Sequence, residues 1–108
     1  MRMVNEILTA AGIQFRRSRF PRPPKGTYAV YMEDMSTDGS DGAEALVVTH
    51  DVTVELYEPA PDDEAEAAIE AAITAAGLQW TKQDRYWING EQLYQVVYEF
   101  TFYSKRRA

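Results

Sequence analysis

Cysteine is absent from this sequence of 108 residues, and several devices are excluded with it. A chain without thiols has no disulfide framework, no thiolate zinc site and no cysteine nucleophile. No apolar run is long enough to cross a bilayer. Glu6 interrupts the apolar stretch 1–12, which is not typical of a signal peptide. We therefore expect a soluble protein that is made in the cytoplasm and has no membrane partner.

Histidine is nearly absent as well, because His50 is the only one. Histidine-based triads and most acid–base pairs would have to use it. It lies between Val48 and Val52 on the apolar side of an alternating segment, a pattern that favours a core or edge histidine. Phosphate loops, dinucleotide fingerprints and nucleophile elbows are also missing. We predict a protein that is not an enzyme, with no catalytic residue and no cofactor.

Carboxylates are plentiful, but their spacing does not match a metal site. Four of them lie along one polar segment: Asp34, Asp38, Asp41 and Glu44. An EF-hand needs acids at alternate positions before its glycine. A nuclease centre built on Glu55, Asp62 and Asp63 would want a nearby lysine, and the next one is Lys82. We predict no metal site.

Basic residues are outnumbered, 11 against 17 acids, so the net charge is −6. A protein that coats nucleic acid needs the opposite sign, because affinity comes from neutralising phosphates. The sequence therefore predicts no direct nucleic-acid binding. With 45% hydrophobic and 26% charged residues, the composition is that of a single globular domain spanning 1–108.

The charges are segregated along the chain. Five basic residues and no acid lie in 16–25, whereas thirteen acids and no Lys or Arg lie in 33–70. This pattern is that of a solvated surface, or of a head-to-tail contact in which the basic face of one copy meets the acidic face of the next. The second interpretation makes subunit-interface candidates of Arg16, Arg17, Arg19, Asp38 and Asp41.

The first half of the chain predicts one helix and two strands. Residues 2–11 have apolar residues at helical spacing and Gly12 after them. Residues 16–26 form a connector rich in Pro and Arg, which cannot be regular helix or central strand. Strands are predicted at 27–33 and 45–57, the second with mostly apolar residues at alternate positions. The residues between them, 35–44, predict a flexible acidic loop.

The second half predicts one more helix and two more strands. Alanines and isoleucines at helical spacing mark a helix over 62–77, and Asp63 with Glu66 fits a capping box. Strands are predicted at 78–88 and 92–103, joined through Asn89-Gly90. A two-residue loop would place Trp87 opposite Gln92.

One extra residue in that loop would instead place Tyr86 opposite Tyr94 and Trp80 opposite Phe100. We favour this second register, with a three-residue loop or a bulge, because it pairs apolar side chains.

These elements, in the order α-β-β-α-β-β, predict an α+β fold. We expect a two-layer sandwich in which two helices pack on one face of an antiparallel, four-stranded sheet. The closing strand 92–103 is long and aromatic, so either it is the central strand of the core or its far end projects beyond the core. That end adds Phe102 and Tyr103 to the subunit-interface candidates.

Four segments of the second half carry a resemblance: VELYE at 54–58, the acidic, alanine-rich helix 62–77, WTKQDRYWI at 80–88 and EQLYQVVYEF at 91–100. They resemble small prophage proteins of the head–tail morphogenesis module of tailed phages, in the tail-completion or tail-terminator family. The resemblance implies an α/β subunit without catalytic residues that forms a ring, commonly a hexamer. Such a ring caps the tail tube and meets the head connector.

Our leading hypothesis is therefore a virion protein made in the cytoplasm of a bacterial host. It would be a tail terminator or head–tail joining subunit, with itself, the tail-tube protein and the head-connector protein as partners. The alternative is a small non-structural phage protein that binds and inhibits a host protein through its acidic surface, which could mimic nucleic-acid phosphates.

Overall fold

The structure is a computed structural model that describes residues 3–39 and 45–107. Asp41 and Glu44, which were assigned to an acidic loop, lie outside the described residues. Two helices and six strands follow one another along the chain: α1 (Met3–Ala11), β1 (Gln14–Arg17), β2 (Tyr28–Asp38), β3 (Ala45–Glu58), α2 (Asp63–Ala75), β4 (Trp80–Lys82), β5 (Tyr86–Ile88) and β6 (Leu93–Arg107).

The strands form one mixed sheet in the order β1-β2-β3-β6-β4, and β5 also pairs with β6. The α+β class is confirmed, but the prediction of an antiparallel, four-stranded sheet is wrong, because β1 pairs with β2 in parallel. The proline-rich connector carries the chain back, so that Tyr28 starts level with Gln14. Local patterns do not reveal such a return, since it depends on where the connector takes the chain.

The predicted acidic loop is shorter than expected, because its first residues belong to β2. β2 pairs with β3 from Tyr28↔Tyr57 to Asp38↔Val47. Residues 35–38 read as loop in the sequence because three of the four are small or polar, and more polar turn residues follow them. Backbone hydrogen bonds to β3 hold them in the sheet despite that composition.

Helix α2 begins one residue earlier than the capping box implied. Asp62 is the N-cap, and its Oδ1 accepts a hydrogen bond from the Ala65 amide at 3.0 Å. The capping box of Asp63 with Glu66 is wrong, because Glu66 is buried and bound to basic residues instead. Asp62 Oδ2 also accepts a hydrogen bond from the Thr27 hydroxyl at 2.6 Å, which ties the helix to β2.

The closing hairpin has two registers instead of one. Trp80 pairs with Phe100, as predicted, but Tyr86 pairs with Gln95 and not with Tyr94. The segment between β4 and β5 absorbs the one-residue difference. The loop has four residues, 89–92, and its last residue Gln92 adopts a positive φ of 56°. The predicted three-residue loop is therefore wrong, and the one-residue offset lies between two short strands and not in the turn.

The core lies between the two helices and one face of the sheet. We call this the inner face, and the opposite one the outer face. Alternate residues of β3 point inward, as the sequence predicted, and Tyr98 of β6 is fully buried beside them. The helices contribute five buried apolar side chains: Val4, Ile7, Leu8, Ile69 and Ile73. This burial of apolar area is the main stabilising contribution to the fold.

Candidate assembly surface

Three strands continue past the rest of the sheet and form an extension. β1 covers the edge of β2 only at 28–31, and β4 covers the edge of β6 only at 98–100. We call residues 32–38 of β2, 45–53 of β3 and 101–107 of β6 the extension, and the remainder the body. At about 3.3 Å per residue, each seven-residue edge is about 23 Å long. The principal-axis extents of 52 × 27 × 21 Å reflect this elongation.

Both edges of the extension are open within the described residues. On the side away from β3, no described strand pairs with β2 beyond Tyr31, and none pairs with β6 beyond Phe100. Unpaired edges offer rows of N–H and C=O groups to another chain, and soluble monomers usually protect them. These two edges are therefore the part of the molecule best suited to strand pairing with a partner.

The two edges carry opposite charge. Acidic side chains lie on the β2 edge at Glu33, Asp34 and Asp38, whereas Lys105 and Arg106 lie on the β6 edge. Asp38 and Lys105 flank the same residue of β3, Val47, and so lie at one level of the sheet. All but Glu33 are exposed, which leaves their charges available to a neighbour.

The inner face of the extension contains the only histidine, in a polar relay. His50 Nδ1 lies 2.6 Å from Glu33 Oε2 and donates to that carboxylate, and Nε2 is hydrogen-bonded to the Ser104 hydroxyl at 2.7 Å. The imidazole also stacks on Phe102 at a centroid distance of 4.2 Å. His50 is 3% exposed, and the prediction of a core or edge histidine is confirmed.

A hydroxyl, an imidazole and a carboxylate in this order can activate a serine as nucleophile. Here Ser104 lies inside a strand, and it lines neither of the two cavities described below. The relay instead joins three strands and satisfies polar groups that the apolar face would otherwise leave without partners. The relay thus links side chains of β2, β3 and β6 across the inner face of the extension.

Phe102 and Tyr103, both interface candidates, fall on opposite faces. Phe102 is 2% exposed and belongs to the core, so it is not available to a neighbouring subunit. Tyr103 is 68% exposed on the outer face, where Val47 is also exposed. A strand that alternates faces places adjacent residues on opposite sides, and the sequence alone does not tell which side is covered.

The arginines of the connector lie at the edge of the body. Arg16 and Arg17 belong to β1, and their guanidinium groups lie 5.7 Å and 5.9 Å from the ring centroids of Phe20 and Tyr31. Both arginines and Arg19 are exposed. The structure thus places these candidates beside the basic connector, and not next to Asp38.

A partly buried ionic cluster, which no local sequence pattern indicates, lies between α2 and the β4–β5 break. Arg85 Nη2 donates to Glu66 Oε2 at 2.6 Å and to Asp63 Oδ1 at 2.7 Å, and Arg85 Nε lies 3.2 Å from Glu58 Oε1. Lys82 Nζ lies 2.8 Å from both Glu66 Oε1 and Glu70 Oε2. The cluster contains these residues: Glu58, Asp63, Glu66, Glu70, Lys82 and Arg85.

Burial and neighbouring groups shift the pKa values of the two buried carboxyls of this cluster, Glu58 and Glu66, in opposite directions. Burial and the neighbouring Glu66 raise the pKa of Glu58 to about 7. Burial alone would raise the pKa of Glu66, but the neighbouring Glu58 carboxyl and the contacts with Lys82 and Arg85 outweigh burial and lower the pKa. Among the described residues, Glu58 Oε2 has no hydrogen-bond partner, which accords with a carboxyl that is readily protonated. The arrangement fixes α2 against the hairpin.

An open groove of about 720 Å³ begins where β4 leaves the edge of β6. Trp80, Phe100, Phe102 and Tyr103 line it together with Met3 of α1. A second hollow of about 400 Å³ lies between α2 and the loop that follows α1. The first groove continues along the open β6 edge and is therefore part of the same surface.

Residues 3–39 and 45–107 contain no cluster of His, Asp or Glu able to hold a metal ion. In the same residues, neither helix is both long and apolar enough to cross a membrane.

The fold has known counterparts. One chain from a structure of the virion of a native gene transfer agent (GTA) particle aligns with 93% of this chain and 84% of its own length, at a TM-score of 0.64. The two chains share a fold. Their sequence identity is 16%, so the likeness is one of architecture.

A second solved structure covers 99% of this chain and 89% of its own, at a TM-score of 0.51 and 14% identity. No family model matches the sequence, and no curated protein matches it.

Proposed function

We propose that this protein is a structural subunit of a tailed-phage or phage-like particle, and that it acts by assembly and not by catalysis. The observation that carries this proposal is the extension, with one acidic and one basic edge that are both open. A soluble monomer has no use for such edges, and they favour aggregation unless a partner covers them. The fold shared with a chain of a GTA virion supports a particle as the place of assembly.

Within such a particle, the proposed role is that of a tail terminator or head–tail joining subunit. The sequence resembles that family over 54–100, and the fold match spans nearly the whole chain. In this role the copies form a ring, with six as the expected number. The ring caps the tail tube and contacts the head-connector protein, and the protein is made in the host cytoplasm.

The test is the mass of the purified chain in solution as its concentration rises. We expect light scattering after size exclusion to show an oligomer, negative-stain images to show rings, and labelled antibodies to bind at the tail end of particles. A strict monomer at high concentration that is also absent from particles would contradict the proposal. A monomer that retains one host protein would favour the inhibitor alternative instead.

Two exposed tyrosines provide a matched pair of variants. Tyr103 is 68% exposed on the extension, and Tyr86 is 66% exposed on the body. Tyr103→Ser should weaken assembly, whereas Tyr86→Ser should leave it close to wild type. Equal weakening by both changes would place the contact outside the extension.

A further inference from the structure

We infer that copies of this chain join by strand pairing, with the β6 edge of one copy beside the β2 edge of the next, in parallel. This inference rests on the proposed function, since it specifies the contact through which that assembly forms. It follows from strand direction, from the level of the charged residues and from the widths of the two regions.

Strand direction is the first step. β2 and β6 each pair with β3 in an antiparallel manner, so they run in the same direction. A neighbouring copy that continues the sheet without turning over therefore presents its β2 parallel to this copy's β6. Such a contact uses two different surfaces, and repeating it gives a closed ring or an open helix.

The level of the charges is the second step. Thr101, Tyr103 and Lys105 lie level with Asp34, Ser36 and Asp38 of the same copy, across β3. If the next copy continues the sheet at the same level, Lys105 lies beside its Asp38, and Tyr103 beside its Ser36. All of these side chains are on the outer face, where neighbouring residues on paired strands interact directly.

Two-fold contacts are disfavoured by the same charges. Pairing two β6 edges leaves Lys105 and Arg106 of both copies without an acidic partner on the other strand. Pairing two β2 edges brings Asp34 and Asp38 of one copy near the same two acids of the other copy, and like charges on paired strands repel. Only the β6–β2 contact joins the basic edge to the acidic one.

The widths of the two regions determine the shape of the assembly. The body is five strands wide, counting from β1 to β4, whereas the extension is three strands wide. At a strand spacing of about 4.8 Å, copies that touch along the extension are wedge-shaped, with the narrow end at the extension. The ring is therefore tapered, and the groove beside Trp80 faces the neighbouring body at the wide end.

Cysteine cross-linking tests the contact sharply, because the chain has no cysteine of its own. We expect the double variant Ser36→Cys/Tyr103→Cys to give a ladder of covalent oligomers on mild oxidation. Each single variant alone should stay uncross-linked, and a mixture of the two single variants should give dimers only. The double variant Ser36→Cys/Tyr86→Cys is the matched control, and it should give no ladder.

Covalent dimers from a single variant would reveal a two-fold contact and overturn the inference. The inference would also be overturned if the double variant formed oligomers but gave no cross-link. This conclusion requires that a cysteine at Asp34 or Asp38, the outer-face neighbours of Ser36, also gives none when it replaces Ser36→Cys. Either result leaves the proposed function standing if the protein is oligomeric and present in particles. A monomer absent from particles would instead remove the proposed function.

Exchange of charges provides an independent test. Lys105→Glu and Asp38→Lys should each raise the apparent dissociation constant of the assembly roughly three- to tenfold, because each replaces an attraction with a repulsion. Combining them should restore assembly to within about twofold of wild type. Additive losses in the double variant would show that the two residues do not meet.

Discussion

The strands β2, β3 and β6 run through both the body and the extension, and different parts of the chain cover them in the two regions. In the body, helices cover the inner face, while β1 and β4 cover the edges. In the extension, described residues leave both edges open, and the His50 relay holds the inner face together. The body has apolar contacts on α1 and α2, whereas the extension combines a few core side chains, among them Val52 and Phe102, with cross-strand polar contacts and exposed charge.

This difference predicts that some substitutions affect the stability of the fold and that others affect the proposed assembly. Burial of apolar area in the body accounts for most of the folding free energy. The extension adds less burial and leaves more hydrogen-bonding capacity to a partner. Substitutions on the inner face should therefore affect unfolding, and those on the outer face and edges of the extension should affect assembly.

The largest expected effect on the free energy of unfolding comes from Phe102. Its neighbour Tyr103 lies on the outer face, so the two adjacent positions compare the two faces. Phe102→Asp should lower the free energy of unfolding by at least about 3 kcal/mol, because it places a carboxylate among buried side chains. Tyr103→Asp should change it by no more than about 0.5 kcal/mol. Urea denaturation of both variants measures this, and a folded Phe102→Asp monomer of normal stability would erase the distinction.

A smaller effect is expected from the relay. His50→Leu should cost about 2–4 kcal/mol, because it leaves the Glu33 carboxylate buried without its partner. Removing that carboxylate too, in His50→Leu/Glu33→Leu, should recover at least half of the loss. Chemical denaturation compares the two proteins. If the double variant is the less stable one, the carboxylate is not the source of the cost.

The smallest effect depends on pH and lies in the body, at Glu58. Its folded pKa of about 7 exceeds the ordinary value of 4.5, so the native state binds the proton more tightly than the unfolded state. The stability that this adds is complete below pH 4.5 and is lost as pH rises towards 7.

Glu58→Gln, which mimics the protonated form, should therefore match wild type near pH 4.5. It should exceed wild type by about 1–3 kcal/mol at pH 8. Unfolding curves at the two pH values measure the difference. A difference that does not change with pH would show that Glu58 does not titrate in this range.

Parts of this fold could be predicted from local patterns. The alternation in β3, the helix α2 and the pairing of Trp80 with Phe100 follow from period and apolar matching. The parallel strand β1 could not, because a connector with three prolines does not indicate where the chain returns. The extent of β2 was hidden as well, since its polar residues 36–38 pair through their backbone.

The candidate surface was predictable only in part. Segregated charge indicated a head-to-tail contact, and Asp38 and Tyr103 do lie exposed on the extension. The roles of Lys105 and of the open edges were missed. The grouping of Glu33, His50 and Ser104 on one face depends on the registers between the three strands, which the structure provides. Arg85 carried no local signal, because its partners lie on a different element.

By itself the sequence determined the residue periods, the charge blocks and the absence of thiols, since these depend on neighbours along the chain. The tertiary structure decided which face of β6 is covered, which edges stay open and which acids meet a base. Those properties depend on register and on long-range pairing, where a shift of one residue turns every side chain to the other face.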